Sequence, residues 1–255
     1  MGQLVHIDVS GPVGTLTLNR PERHNSLVPE LLAQMAEGLA TLGRRPGLRV
    51  LVLQANGRSF STGGDVRGFY EQGDQVGVYA ARLVGQLNDV IVTMLDFPVP
   101  IVTAVQGAVT GGSLGFLLAS DIVLLAPEAG ITPYYSVVGF SPDGGWTALL
   151  PEVIGAKRTA EVLVRNLTVS ASQAVEWGLA SRMVPADRLR DESAAAAADI
   201  AAMQPGSLHR TRRLLRAAYD DAAARLEAEQ REFCEQVTTA EARRGMANFL
   251  AGRQP

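Results

Sequence analysis

A short apolar run, a glycine-rich turn and a second apolar segment constrain the fold of this chain more than any other stretch. Residues 101–105 (IVTAV) predict a buried strand. A turn with glycines at 107, 111 and 112 follows, and residues 114–118 predict the start of a buried helix. Because the first N–H groups of a helix have no partner within it, this order of elements points backbone donors at a ligand.

A second glycine turn, at residues 60–65 (FSTGGD), follows another predicted strand at 49–54. One such turn is equally compatible with a tight turn that carries no chemistry. Two turns of this kind can supply two N–H donors to a single oxygen atom. We therefore expect both turns to face the same ligand.

The rest of the chain alternates between strand and helix patterns, which predicts an α/β domain. Residues 4–18 predict a β-hairpin, and Ser26 is a candidate N-cap for a helix that runs to Leu42. A long helix at 76–95 and a strand at 122–125 flank the central motif. From about residue 188 the patterns are almost entirely helical. These features predict an α/β domain over 1–190 and a helical region over 191–255.

Composition excludes several classes of function. Apolar residues make up 47% and charged residues 19% of the chain, which suits a large core, and the net charge of −3 gives no reason to expect a nucleic-acid partner. The arginines at 210, 212, 213 and 216 predict a solvated helix face. The single cysteine, Cys234, fits a reducing compartment. No metal-ligand spacing, targeting signal or membrane span is present in the sequence, so we expect a cytoplasmic protein without membrane or metal partners.

An alternative interpretation is that the central turn carries the nucleophile of a serine hydrolase. Gly111, Ser113 and Gly115 match the Gly-x-Ser-x-Gly nucleophile motif between a strand and a helix. Asp143 and His209 follow in the chain order that such a triad requires. His209 lies inside a predicted helix rather than on a loop, which argues against this reading.

Several segments together resemble the crotonase, or enoyl-CoA hydratase/isomerase, superfamily, over almost the whole chain. No single segment is decisive, but their order and spacing are specific. The segments are residues 18–21 (LNRP), 25–27 (NSL), 60–65 (FSTGGD), 107–121, 139–147, 167–184 and 244–249 (RGMANF).

The resemblance implies a spiral of repeated β-β-α units and a helical C-terminal region that forms a homotrimer or hexamer. It implies that the N–H groups of Gly64 and Gly112 hold an acyl-CoA thioester carbonyl. No permanently bound cofactor is implied, because coenzyme A arrives as part of the substrate. The coenzyme A contacts that the resemblance implies are Arg23, His24, Gly64, Asp65, Val66 and Arg67, with Phe249 and Arg253 matching part of a C-terminal contact.

The resemblance also bears on the reaction. Hydratases of this superfamily use two glutamates, which would fall at Gly115 and Tyr135, and neither position is acidic here. Asp143 falls where related isomerases carry a functional aspartate. We therefore expect isomerisation with Asp143 as acid and base, with hydration as the main alternative. A catalytically silent CoA-binding subunit is an alternative of a different class.

Overall fold

The computed structural model describes residues 2–253. Met1 of the predicted region 1–190, and Gln254 and Pro255 of the predicted region 191–255, lie outside the described residues. The strands are β1 (Val5–Ser10), β2 (Val13–Leu18), β3 (Val50–Ala55), β4 (Ile101–Val105), β5 (Ala108–Thr110), β6 (Ile122–Leu125), β7 (Gly130–Thr132), β8 (Val169–Ser170) and β9 (Arg182–Met183). The helices are α1 (Pro29–Gly43), α2 (Val66–Tyr70), α3 (Val76–Leu95), α4 (Leu114–Leu118), α5 (Tyr135–Val138), α6 (Leu150–Ile154), α7 (Ala156–Val164), α8 (Ala171–Glu176), α9 (Leu189–Ala202), α10 (Pro205–Arg216), α11 (Ala222–Val237) and α12 (Ala240–Leu250).

The strands form two sheets. The larger sheet has six strands in the order β1-β2-β3-β4-β6-β9, and it is parallel except for the β1–β2 hairpin. The smaller sheet has the order β5-β7-β8. This arrangement, followed by a helical C-terminal region, confirms the predicted α/β fold.

The larger sheet is covered on both faces, which explains why its central strands are continuous apolar runs. Alternate residues of β3 point to opposite cores. Leu51 and Leu53 belong to the main core, which includes α1 and α3, while Val50 and Val52 belong to a smaller core beneath α9. All five residues of β4 are buried.

Parallel strands bring the two glycine turns to one edge of the sheet. β3 and β4 are neighbours and run in the same direction, so the segments that follow them leave the sheet side by side. The Phe60 N–H donates to the carbonyl oxygen of Gln106 at 2.8 Å, and the Thr110 N–H donates to the carbonyl oxygen of Ser61 at 3.1 Å. The predicted meeting of the turns therefore follows from strand direction.

The C-terminal helices complete the core. Leu226, Phe233 and Val237 of α11 and Met246 of α12 lie in the main core cluster. The division of the chain at residue 190 and the homotrimer or hexamer both stay predictions. Within residues 2–253, no helix combines the length and apolarity that crossing a membrane requires.

Two sequence interpretations are wrong. Ser26 does not cap α1, because Val28 is the N-cap and Pro29 begins the helix; the Ser26 hydroxyl instead accepts a hydrogen bond from Arg20 Nη1 at 2.6 Å. Arg212 and Arg216 are not on a solvated face. Arg212 Nε donates to Asp121 Oδ2 at 2.8 Å and Arg216 Nη2 donates to Asp121 Oδ1 at 3.2 Å. The arginine spacing alone gave no sign of this distant carboxylate.

Candidate active site

The two glycine turns touch each other. Gly63 adopts a φ of +67°, and a Cβ atom there would lie only 2.5 Å from the carbonyl oxygen of Thr110. A side chain at this position would push the turns apart. Glycine is therefore required here for close packing as well as for its backbone conformation.

A cavity of about 480 Å³ opens where the turns meet. Its lining includes all the residues predicted for the two turns and the arginine loop, together with the predicted base, but not Arg253: Arg23, His24, Gly64, Asp65, Val66, Arg67, Gly112 and Asp143. Phe249 of the predicted C-terminal contact also borders it. These residues come from five separate segments of the chain, so the fold brings together residues that are far apart in the sequence.

Gly64 and Gly112 line the cavity, and their backbone N–H groups have no acceptor within their own turns. Within residues 2–253, the Gly64 N–H donates to no protein acceptor. Gly112 is the second residue of a 3₁₀ turn (Gly111–Ser113), and the first N–H groups of such a turn lack acceptors inside it. Both glycines can therefore donate to a ligand atom in the cavity.

Asp143 is held directly against the Gly112 turn. Gly144 has a φ of +62°, and a Cβ atom on it would lie 2.4 Å from Gly112 Cα. A Cβ atom on Gly112 would in turn lie 2.8 Å from Asp143 Oδ1. Because Gly112 and Gly144 have no side chains, the Asp143 carboxylate can lie close to the backbone of the central turn.

The Asp143 carboxylate is buried, with 7% of the residue exposed. Burial raises its pKa from 3.8 to about 7; the hydrogen bond from Tyr135 lowers the pKa, and the charge of Glu229 raises it. The Tyr135 hydroxyl donates to Asp143 Oδ1 at 2.6 Å. A carboxylate with a pKa near neutrality can both accept and return a proton.

Glu229 of α11 clamps the loop that follows Asp143. Its Oε2 accepts the Gly145 N–H at 2.8 Å, and its Oε1 accepts the N–H groups of Thr147 and Ala148 at 2.6 and 2.9 Å. Oε1 also accepts the Thr147 hydroxyl at 2.7 Å. This buried carboxylate therefore satisfies the backbone of a loop that lies more than eighty residues away in sequence.

Asp65 organises the part of the cavity wall next to Gly64. Arg20 and Arg23 donate to its Oδ2 at 3.1 and 3.2 Å, and its Oδ1 accepts the Gly68 N–H at 3.4 Å as the N-cap of α2. Burial acts to raise the pKa of Asp65, but the hydrogen bonds and charges of the two arginines outweigh it and hold the pKa below 3.8. The carboxylate stays ionised and fixes the arginine loop beside Gly64.

An aromatic cluster borders the inner part of the cavity. Phe69, Phe140 and Phe233 have ring centroids 5.1–5.6 Å apart. Phe69 lies against the glycine turn, since a Cβ atom on Gly64 would be 2.8 Å from its ring. The cavity therefore pairs an apolar wall with the backbone donors and Asp143.

The geometry contradicts the serine hydrolase alternative. The Ser113 hydroxyl is fully buried and lies 2.7 Å from the carbonyl oxygen of Thr110 and 3.1 Å from that of Ser61. His209 is exposed on α10 and makes no contact with Ser113. The Asp143 carboxylate accepts a hydrogen bond from the Tyr135 hydroxyl instead of from a histidine. No triad is assembled.

Gly115 and Tyr135 occupy the two positions where the resemblance places the glutamates of hydratases, and neither provides a carboxylate. A Cβ atom on Gly115 would lie 2.3 Å from Ile91 Cδ1 and 2.7 Å from the carbonyl oxygen of Gly144. No side chain fits there without movement of its neighbours. At the other position Tyr135 presents a hydroxyl to Asp143.

Comparison with known proteins identifies the family. The sequence profile described as enoyl-CoA hydratase/isomerase matches residues 8–255. The chain belongs to the enoyl-CoA hydratase/isomerase family. It is 34% identical over 225 residues to the probable enoyl-CoA hydratase echA12 of Mycobacterium bovis, which covers 85% of this chain and 77% of that protein.

Relatives of this enoyl-CoA hydratase/isomerase family member carry both reaction names. The chain is 32% identical over 262 residues to the 1,2-epoxyphenylacetyl-CoA isomerase of Escherichia coli, covering 100% of this chain and 98% of that one. A crystal structure of an enoyl-CoA hydratase/isomerase from Mycobacterium paratuberculosis matches with a TM-score of 0.90 at 26% identity, over 97% of this chain and 99% of that one. These matches confirm the crotonase-like fold.

Sequence reasoning missed three residues that shape the site of this family member. Arg20 and Glu229 bind their partners across 45 and 84 positions of sequence, respectively, and no local pattern announces such pairs. For Tyr135, the sequence indicates an aromatic residue that lines the pocket or packs near Asp143, and the part missed is the hydrogen bond from its hydroxyl to the carboxylate. No local pattern indicates this contact, because Tyr135 begins the short helix α5 and Asp143 lies in the loop that follows it.

Burial of Asp143 predicts a pH-dependent loss of stability. The folded state binds a proton more tightly than the unfolded state, because the pKa rises from 3.8 to about 7 on folding. Stability should therefore fall as the pH rises between these values and stay level above them. Asp143→Asn cannot titrate, so it should be more stable than the wild type by on the order of 2–4 kcal/mol at pH 8.

Urea denaturation of both proteins at pH 5 and pH 8 measures this effect. We expect the advantage of Asp143→Asn to shrink toward pH 5. The matched control is Asp89→Asn, which removes an exposed carboxylate of α3 and should leave the pH dependence unchanged. Equal pH dependence of the wild type and Asp143→Asn would contradict the prediction.

Proposed function

We propose that this chain is an acyl-CoA isomerase that moves a double bond, or opens and rearranges a ring, through an enolate of the thioester. Asp143 removes a proton from one carbon of the acyl group and returns it to another. The N–H groups of Gly64 and Gly112 stabilise the negative charge on the thioester oxygen. The chain thus needs no bound cofactor beyond the coenzyme A of its substrate.

One observation carries this proposal: Asp143 borders the same cavity as both glycines and lies against the Gly112 turn. Proton abstraction next to a thioester breaks a C–H bond, and its electron pair moves onto the carbonyl oxygen. The proton passes to Asp143 and is then returned to a different carbon, so no co-reactant is consumed. A pKa of about 7 suits both halves of this cycle.

The two N–H groups supply the electrostatic part of catalysis. Preorganised backbone donors aimed at a developing oxyanion act in a site with little water, and one such donor is typically worth about 3–4 kcal/mol. The aromatic wall of Phe69, Phe140 and Phe233 supports this role, because apolar neighbours keep the local dielectric low.

The opposite end of the cavity suits the coenzyme A portion. Arg23 and Arg67 border the cavity, and the Arg23 side chain keeps 44% of its surface exposed while it also contacts Asp65. Guanidinium groups bind phosphate oxygens well. We infer that these arginines, with the backbone around His24, Asp65 and Val66, receive the phosphates and adenosine of the substrate.

Hydration is the second candidate, because relatives at 34% identity are named hydratases. Adding water requires one group to activate the water and another to protonate the carbon. Among residues 2–253, the carboxylates of Glu22, Asp65 and Asp143 border the cavity, and of these Asp143 lies against the Gly112 turn. The space at Gly115 is filled by Ile91 and Gly144. A single acid–base group favours isomerisation.

A thioester panel tests this function. Straight-chain 2-enoyl- and 3-enoyl-CoA, and an aryl or ring-containing acyl-CoA, would be incubated with the protein in deuterated water. Isomerisation should leave the product without an added water and introduce deuterium at the carbons that exchange protons. Mass spectrometry and the absorbance of the conjugated thioester measure both.

The outcomes separate the candidates. A product heavier by one water would favour the hydratase. Binding of the thioesters without turnover or deuterium exchange would favour the silent CoA-binding subunit. Either result would overturn the proposed isomerase.

A further inference from the structure

Tyr135 stands beside the proposed base in a way that the family resemblance did not predict. Its hydroxyl donates to Asp143 Oδ1 at 2.6 Å and lies 3.0 Å from the Asp143 carbonyl oxygen. We propose that Tyr135 is a positioning residue, which holds the Asp143 carboxylate in the orientation and the ionised form that proton abstraction needs. This inference rests on the proposed function of Asp143.

The hydrogen bond divides the two carboxylate oxygens between separate roles. Oδ1 accepts the Tyr135 hydroxyl, and within residues 2–253 no hydrogen-bond donor is found for Oδ2, which is not among the fully buried unpartnered atoms. Asp143 and Tyr135 both border the cavity. Oδ2 is therefore the oxygen that can take a proton from substrate, while Tyr135 keeps its own proton throughout.

The tyrosine ring is fixed on its other side. Its centroid lies 6.3 Å from that of Trp146 at an interplanar angle of 86°. Trp146 is fully buried, and its Nε1–H donates to the carbonyl oxygen of Gly111 at 2.8 Å. The tyrosine, the tryptophan and the central glycine turn thus form one connected packing unit around Asp143.

Backbone strain just before Tyr135 is a second and independent observation. Tyr134 has a φ of +63°, which is an outlier for a bulky residue and costs on the order of 1–3 kcal/mol. The side-chain oxygen of Asn166 accepts the Tyr134 N–H at 2.8 Å and holds this conformation. Strain of this kind persists where a local geometry has a use, and here it sets the direction in which Tyr135 enters the site.

The charges around Asp143 define the direction of the expected pH effect. The groups that face it are Tyr135 of α5 and both Glu229 and Cys234 of α11. Burial and the charge of Glu229 raise the pKa of Asp143, and the Tyr135 hydrogen bond lowers it. The pKa of Tyr135 itself is raised well above 10 by burial and by Asp143, so its hydroxyl stays protonated and can donate at neutral pH.

Tyr135→Phe tests the inference, because it keeps the ring and removes only the hydroxyl. The pH dependence of kcat/KM should shift to a higher midpoint, by about one pH unit. At neutral pH kcat should fall about tenfold, and most of that loss should disappear on the alkaline side. Tyr70→Phe is the control, since Tyr70 is 42% exposed and lies away from the cavity lining.

A structural role alone would lower the rate equally at every pH. An unmoved midpoint, or a midpoint shifted to lower pH, would therefore overturn the inference. If the wild type turns over no thioester, the proposed function fails, and the carboxyl-carbon NMR titration of Asp143 in both proteins decides the inference by itself. We expect a higher Asp143 midpoint in Tyr135→Phe, and identical titrations would refute the coupling.

Discussion

Replacing Asp143 with asparagine is expected to lower turnover by a factor on the order of 10²–10⁴ while acyl-CoA binding changes little. Asparagine has nearly the same shape and can still accept the Tyr135 hydroxyl, so the cavity and the two N–H donors stay in place. It cannot accept a proton from carbon. The loss should therefore appear in kcat and in kcat/KM rather than in the dissociation constant.

Steady-state kinetics on a substrate that the wild type turns over, together with equilibrium binding of the same thioester, measures this prediction. Asp89→Asn serves again as the control for removal of one carboxylate. Deuterium exchange at the acyl carbons should also be lost in Asp143→Asn. If turnover stays near the wild-type value, Asp143 is only the turn residue before two glycines, and the isomerase proposal falls with it.

Removal of the Glu229 clamp is expected to cause the largest loss of stability. Glu229→Leu leaves the buried N–H groups of Gly145 and Ala148, and the less buried N–H group of Thr147, without their acceptor. Each buried donor left unsatisfied costs about 1–3 kcal/mol, so the free energy of unfolding should fall by on the order of 3–5 kcal/mol. Turnover should fall as well, because this loop carries Asp143.

Two matched variants make the result interpretable. Glu229→Gln keeps one acceptor oxygen and should lose an intermediate amount of stability. Glu232→Gln changes an exposed glutamate of the same helix and should shift the free energy of unfolding by less than about 0.5 kcal/mol. A Glu229→Leu protein within about 1 kcal/mol of the wild type would show that water or a neighbouring group replaces the carboxylate.

Elements whose apolar pattern or glycine content depends on the local backbone conformation could be predicted from the sequence. The long helix was predicted at the bounds that α3 has, and β4 was predicted at its observed bounds. The meeting of the two glycine turns could be foreseen because segments that follow neighbouring parallel strands leave the sheet at one edge. Asp143 was placed at the site only by the resemblance to the crotonase superfamily. Backbone direction and glycine conformations leave local traces in a sequence.

Other elements could not be predicted, for physical reasons. β5 and β7 have three residues each and β8 has two, which is too short for any alternation to be recognised. The ion pair between the buried Arg212 and the more exposed Asp121 joins groups 91 positions apart. Glu229 resembles any exposed helical glutamate until its loop partner is known. Contacts between polar groups that are far apart in sequence produce no periodic pattern from which they could be predicted.

The position of Glu229 also bears on the order in which the protein is made. The Asp143 loop leaves the ribosome long before α11, which supplies both the acceptor for that loop and Phe233 of the aromatic wall. Until residue 237 has emerged, the nascent chain holds an unclamped loop and an open cavity. The Asp143 loop therefore gains the Glu229 acceptor only after α11 has been made.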